Sequence, residues 1–126
     1  MDAAQDYVTL NSGHKMPKFG LGTFQVKDDK AVKQAFQEYG YKMFDCASIY
    51  GNEELIGGVI NDLVTVDKTH KREDLYVISK VWWAEVEDVE AACKRSIEKL
   101  KCEYLDLYLV HWPLALKAVP AAEEGG

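Results

Sequence analysis

Short apolar runs that end in polar residues alternate along this chain with apolar stripes at helical spacing, and few folds accept that alternation. The runs are residues 19–24, 41–44, 75–79 and 105–110. After the first, Asp28 or Asp29 can cap a helix in which Ala31, Val32, Ala35, Phe36 and Tyr39 share a face, with Gly40 as its stop. After the second, Asn52 can cap a helix carrying Leu55, Ile56, Val59, Ile60, Leu63 and Val64. Gly57 and Gly58 either pack closely against a neighbour or leave that helix locally poor. After the third, Val86, Val89, Cys93, Ile97 and Leu100 are spaced three, four, four and three apart, which predicts an amphipathic helix. Strands alternating with helices predict an α/β chain built on a parallel sheet.

Ahead of the first run, Tyr7-Val8-Thr9-Leu10 and Met16-Pro17 flank an Asn/Ser/Gly turn and predict a small hairpin, with His14 solvated beside the turn. In residues 67–74, Lys68, His70, Lys71 and Arg72 are balanced by Asp67, Glu73 and Asp74, so the segment reads as a solvated linker. Residues 114–126 are dominated by Ala, Pro, Glu and Gly and read as a loop-like tail. Residues 1–126 are expected to form one domain.

A formal charge of −6 argues against a general nucleic-acid surface, which needs a basic stripe. No apolar stretch approaches the roughly 20 residues of a membrane helix. The acidic, polar first residues resemble neither a secretory leader nor an arginine-rich transit peptide. The three cysteines are odd in number and lack Cys-x-x-Cys spacing; Cys46 and Cys93 read as small buried hydrophobes. No disulfide framework and no metal site are expected, and a reducing, cytoplasmic compartment is the default. Gly20-x-Gly22 lacks the third glycine of a dinucleotide-binding turn.

Asp45, Tyr50, Lys80 and His111 each fall at or just beyond the downstream end of a predicted strand. Side chains gathered at the C-terminal ends of parallel strands are where a (β/α) barrel keeps its chemistry. Tyrosine is a weak acid, with a pKa of about 10. To move a proton near neutrality it needs a cation beside it, for which Lys80 is the candidate, and Asp45 is the candidate counter-ion for Lys80. His111 could orient a substrate oxygen. The competing readings are a structural ion pair, an interface aromatic and a satisfied core histidine.

The segments Met16-Pro17 with Gly20-Leu21-Gly22-Thr23-Phe24, then Gly40-Tyr41-Lys42-Met43-Phe44-Asp45-Cys46-Ala47-Ser48-Ile49-Tyr50-Gly51-Asn52-Glu53, then Val77-Ile78-Ser79-Lys80-Val81-Trp82, then Tyr104-Leu105-Asp106-Leu107-Tyr108-Leu109-Val110-His111-Trp112-Pro113 resemble the aldo-keto reductases in order and spacing. The resemblance implies a (β/α)₈ TIM barrel that reduces aldehydes and ketones with a nicotinamide cofactor, usually NADPH. It implies that Tyr50 is the general acid, that Lys80 and Asp45 tune it, and that His111 orients the carbonyl. Gly22, Thr23, Phe24 and Asp45 match positions beside the cofactor. Phe24, Ile49, Trp82 and Trp112 match positions lining the substrate pocket, with barrel-rim packing as the competing reading of the tryptophans. Phe24 stands where many relatives carry Trp. Trp83 stands where relatives often carry a small or polar residue, and the sequence assigns it no role.

A barrel of this type closes with eight strands, and four are predicted here. The missing barrel half, or another chain, is therefore expected to cover the open sheet edges. Three functions compete: the N-terminal half of a carbonyl reductase, an inactive half-barrel serving as a structural or interaction subunit, and a cofactor-sensing regulatory subunit. The residues do not name the carbonyl substrate.

Overall fold

A computed structural model describes residues 6–117. Strands β1 (Tyr7–Thr9) and β2 (Lys15–Pro17) form an antiparallel hairpin, with Val8 opposite Met16. Its turn is closed by hydrogen bonds between Leu10 and both Gly13 and His14, and Gly13 has φ +87°. His14 is exposed, as its place in the turn predicts.

Four parallel strands then lie side by side in chain order: β3 (Leu21–Gly22), β4 (Met43–Asp45), β5 (Tyr76–Val81) and β6 (Leu107–Val110). Helices α1 (Asp29–Glu38), α2 (Glu53–Asn61) and α3 (Val89–Leu100) make the three crossovers. This is the predicted alternation, with shifted strand limits. β3 pairs with β4 only at Leu21 and Gly22, because its glycine-rich neighbours bring no side chains to pack on a pleated surface. β5 runs on to Val81, since its ladder with β6 continues to the pair Val81 and Val110, so Lys80 lies inside a strand rather than just after one.

Alternation along the strands sorts the side chains onto two faces. Phe44, Cys46 and Val77 point toward the helices and join Val32, Phe36, Ile56, Val59, Ile60, Leu63 and Leu100 in the main core. Phe36 of α1 stacks on Phe44 with ring centroids 3.8 Å apart. Met43, Tyr76 and Ile78 point the other way and pack with Met16 and Leu107, so the hairpin covers the first residues of β4 and β5.

Helix boundaries follow local chemistry. Asp28 caps α1, its Oδ1 accepting from the Lys30 and Ala31 amides, and Gly40 follows the helix at φ +75°. Asn52 does occupy the N-cap position of α2, but its side chain does not cap. Its Nδ2 instead donates to the carbonyls of Thr23 and Val26, tying α2 to the segment after β3. Past Asn61 the helix widens into a π turn, Asp62–Val66, where Asp67 N–H reaches Asp62 O. Gly57 is a close-packing glycine, because a Cβ there would lie 2.0 Å from the Lys99 carbonyl of α3; one at Gly58 would meet open space.

Two expectations are corrected. The buried line of α3 is Ala92, Ser96 and Leu100 rather than Val89 and Cys93, of which Val89 is exposed and Cys93 half-buried. Small and polar residues face α2 because Gly57 and the buried Glu53 sit there. Arg72 is not part of a solvated linker either. Its guanidinium donates to the carbonyls of Leu75, Cys102 and Tyr104 and to the Asp106 carboxylate, with Tyr104 stacked 3.9 Å away.

Cys46, Cys93 and Cys102 are all free thiols. Burial pushes the Cys46 thiol up to about 12 and the Cys102 thiol up to about 11, so both behave as inert apolar groups. Residues 114–117 carry no regular structure; the rest of the predicted tail and the first five residues lie outside the described residues. No helix among the described residues is long and apolar enough to cross a membrane.

Candidate active site

The same two-residue repeat that builds the inner face brings the predicted polar groups together. Asp45 pairs in register with Ile78, and Lys80 follows Ile78 by one full repeat, so the two side chains meet diagonally across neighbouring strands. Lys80 Nζ is 2.6 Å from Asp45 Oδ1, 2.8 Å from the Cys46 carbonyl and 3.5 Å from the Tyr50 hydroxyl. An ammonium has three protons, and each has one of these oxygens to address. The lysine side chain is 12% exposed and the Asp45 side chain 43%, so the pair is shielded on the lysine side and open on the carboxylate side.

Tyr50 stands on the 3-10 turn Ser48–Tyr50 that follows β4, not on a strand. Gly51 after it adopts φ +70°, a left-handed conformation that lets the chain turn directly into α2. Glu53 in the first turn of α2 is only 3% exposed and accepts from Ser79 of β5 and Ser96 of α3, at 2.9 and 3.2 Å. That buried carboxylate fastens the base of the Tyr50 turn to the strand carrying Lys80. Its position at a helix N-terminus also suits a negative charge. Nothing in the sequence singled Glu53 out; the one available signal was Ser96, a polar residue on the buried side of α3.

His111 sits just past β6, its amide bonded to the Val81 carbonyl at 3.1 Å. Its ring meets Tyr50 edge-on at 5.7 Å and Trp82 edge-on at 5.3 Å. Nδ1 is buried with no partner among the described residues, which is not the pattern of a satisfied core histidine. Burial, with the Lys80 charge adding to it, holds the ring below its ordinary 6.5, so it is neutral at neutral pH.

Phe24, Ile49, Tyr50, Trp82, His111 and Trp112 line one open cleft of about 360 Å³. Phe24 is 63% and Trp112 51% exposed at its mouth, and Phe24 lies 5.2 Å from the Tyr50 ring. Trp83 lies against Trp82 with centroids 3.8 Å apart and ring planes tilted by 31°, and its carbonyl accepts from the Leu116 amide.

The residues matched to a cofactor edge behave differently from one another. Gly22 ends β3 with open space beside it. Thr23 is fully buried, and both its amide and its hydroxyl donate to the Asp45 carbonyl, so it braces Asp45 from behind. An unobstructed backbone edge, an exposed aromatic ring and a half-exposed carboxylate fit a flat, hydroxyl-bearing cofactor lying along Gly22, Phe24 and Asp45. Among the described residues, no cluster of metal-ligating side chains is present.

A sequence model of the Aldo/keto reductase family matches residues 18–121. Aldo-keto reductase family 1 member A1 of Xenopus tropicalis is 45% identical over 124 residues, covering 93% of this chain and 37% of that protein. The Gallus gallus protein of the same name is 46% identical over the same shares. The solved aldose reductase from Schistosoma japonicum aligns with a TM-score of 0.82 at 38% identity, over 90% of this chain and 38% of its own. This chain therefore spans little more than a third of the length of the curated relatives it matches, and its four parallel strands correspond to part of a TIM barrel. With the match running from the end of the hairpin through β6 and its flanking site residues, the chain belongs to the aldo/keto reductase family.

Proposed function

We propose that this chain carries the proton-transfer half of a carbonyl reductase, reducing aldehydes and ketones to alcohols with NADPH. The observation that carries the reading is the Lys80 ammonium, which directs itself at Asp45, the Cys46 carbonyl and the Tyr50 hydroxyl beneath an aromatic cleft. Gly22, Phe24 and Asp45 would hold NADPH, which when bound would supply the hydride. Tyr50 gives its hydroxyl proton to the carbonyl oxygen. The ammonium then stabilises the phenolate left behind, and Asp45 holds the ammonium in place. His111, neutral, donates from Nε2–H, the ring nitrogen opposite the buried Nδ1, to the same carbonyl oxygen and fixes its direction. Phe24, Ile49, Trp82 and Trp112 present apolar surface that favours aromatic or hydrophobic carbonyl compounds. Three free thiols suit a reducing, cytoplasmic setting.

The sheet order ends at β3 and β6 with no strand paired beyond either among the described residues, and Leu109 and Val110 of β6 are exposed. A further barrel segment or another chain would cover those edges. The alternative reading, an inactive structural subunit, takes its support from the same exposed edges.

Both readings are separated by following NADPH absorbance with benzaldehyde as substrate, alongside light scattering. Tyr50→Phe should lower kcat by about a hundredfold or more while leaving cofactor affinity unchanged, because it removes the proton donor and little else. Near-unchanged turnover in Tyr50→Phe would assign the acid elsewhere. An associating chain with no turnover at all would favour the structural subunit.

A further inference from the structure

Ser48 opens the turn that carries Ile49 and Tyr50, and its hydroxyl donates to Glu85 Oε1. The same oxygen accepts the Trp82 amide at 3.2 Å, while the Glu85 amide donates to the Trp82 carbonyl at 2.9 Å. Glu85 Oε2 accepts from Arg95 of α3 at 3.3 Å. One carboxylate thus closes the turn after β5 on itself, fastens it to the helix behind, and ties it to the turn across the cleft. The Ser48 oxygen also lies 3.3 Å from the Lys80 carbonyl. A hydroxyl has a single proton, and the ionised acceptor takes it, since charge-assisted hydrogen bonds are about twice as strong as neutral ones.

Ile49 and Tyr50 form one wall of the aromatic cleft and Trp82 forms part of another, while neither Ser48 nor Glu85 lines it. The hydrogen bond between Ser48 and Glu85 joins the two walls directly behind their lining side chains. We propose that Glu85, acting through Ser48, is a positioning residue that fixes the width of the cleft and thereby selects flat aromatic carbonyl compounds over bulkier ones. The selectivity rests on the carbonyl-reduction reading; the link between the walls does not. Trp83 has a place in the same assembly. Packed against Trp82 and bonded through its carbonyl to Leu116, it backs the wall that Glu85 holds. A surface ion pair between Glu85 and Arg95 would by itself alter stability slightly and leave the choice of substrate alone.

The test compares the unaltered chain with Glu85→Ala, Glu85→Gln and Ser48→Ala. KM and kcat are measured for benzaldehyde and for a di-tert-butyl benzaldehyde at saturating NADPH, and the exciton couplet of the adjacent indoles is read by circular dichroism. Glu85→Ala and Ser48→Ala should each raise KM for benzaldehyde about fivefold, the worth of one lost hydrogen bond, and narrow its advantage over the bulky aldehyde. In both variants kcat should stay within about twofold, because the proton donor is untouched. Glu85→Gln, whose amide oxygen can still accept from Ser48 and Trp82 but without the charge that outcompetes the Lys80 carbonyl, should fall between the parent and Glu85→Ala. The couplet should weaken in Glu85→Ala and persist in Ser48→Ala. An unchanged KM ratio between the two aldehydes in Ser48→Ala overturns the proposal, and that variant keeps the test intact if Glu85→Ala fails to fold. If the parent turns over neither aldehyde, the carbonyl-reduction reading falls. The link is then judged by tryptophan quenching on benzaldehyde titration, where an equal response in the parent and Ser48→Ala overturns it.

Discussion

Two ion pairs tie neighbouring parts of this sheet, one near each end of the strands, and they are built to opposite specifications. At the entry to β5, Arg72 is 10% exposed and spends its donors on three carbonyls and on Asp106, whose Oδ2 also accepts the Val77 amide. Every strong contact is satisfied and the guanidinium is covered by Tyr104. At the exit, Lys80 and Asp45 make a closer pair, yet the carboxylate remains half open and the third ammonium proton faces the hydroxyl of a tyrosine rather than a fixed carbonyl. The first pair is finished and holds the fold. The second is left with spare bonding capacity beside Tyr50, which lines the cleft, and that is the condition a reacting group needs.

Breaking each pair should separate the two designs. Arg72→Leu strands Asp106 and three carbonyls, and is expected to cost about 3 kcal/mol in denaturant unfolding. Lys80→Met should cost only about 1 kcal/mol, because Asp45 can turn to water, while any aldehyde reduction disappears. Equal stability losses would erase the distinction.

The same contrast between closed and open surroundings occurs within α2. Gly57→Ala forces a methyl against the Lys99 carbonyl and should destabilise by about 2 kcal/mol. Gly58→Ala enters open space within a helix and should stabilise by about 0.5–1 kcal/mol, read as opposite shifts in Tm.

The smallest effect concerns pH. His111 is held below its ordinary 6.5, so folding favours the neutral ring. Its contribution to stability is fully present above about pH 6.5 and is lost as pH falls through the folded value. Unfolding free energies measured across that window should fall less steeply on acidification in His111→Gln. An identical slope would mean that the ring is not desolvated.

The strand and helix order was legible in the sequence, because hydrophobic period and chain order report it directly, and that order put Asp45, Tyr50, Lys80 and His111 at strand ends; the cleft-lining residues came only from the resemblance to the aldo-keto reductases. Arg72 was not. It sits in a run of charged residues that all look solvated, and only the fold gathers the carbonyls of Leu75, Cys102 and Tyr104 around it. The buried line of α3 was misplaced by one residue, since Ala92 and Ser96 carry little hydropathic signal beside Cys93 and Ile97. Asn52 was read as a cap from its position, whereas the carbonyls of a segment about 26 residues earlier compete for its amide and win. Ser48 and Glu85 were silent for the same reason, being partners 37 residues apart.

The Tyr50 hydroxyl rides on the helical layer, through its turn and α2, whereas the Lys80 ammonium rides on the sheet. The 3.5 Å between them is thus a gauge of interlayer spacing. Any substitution that thickens or thins the contact between α2 and its neighbours resets that gauge without touching a site residue. Lineages carrying this scaffold can therefore reset the reach between hydroxyl and ammonium by drift in the packing, and a comparison of site residues alone would miss it.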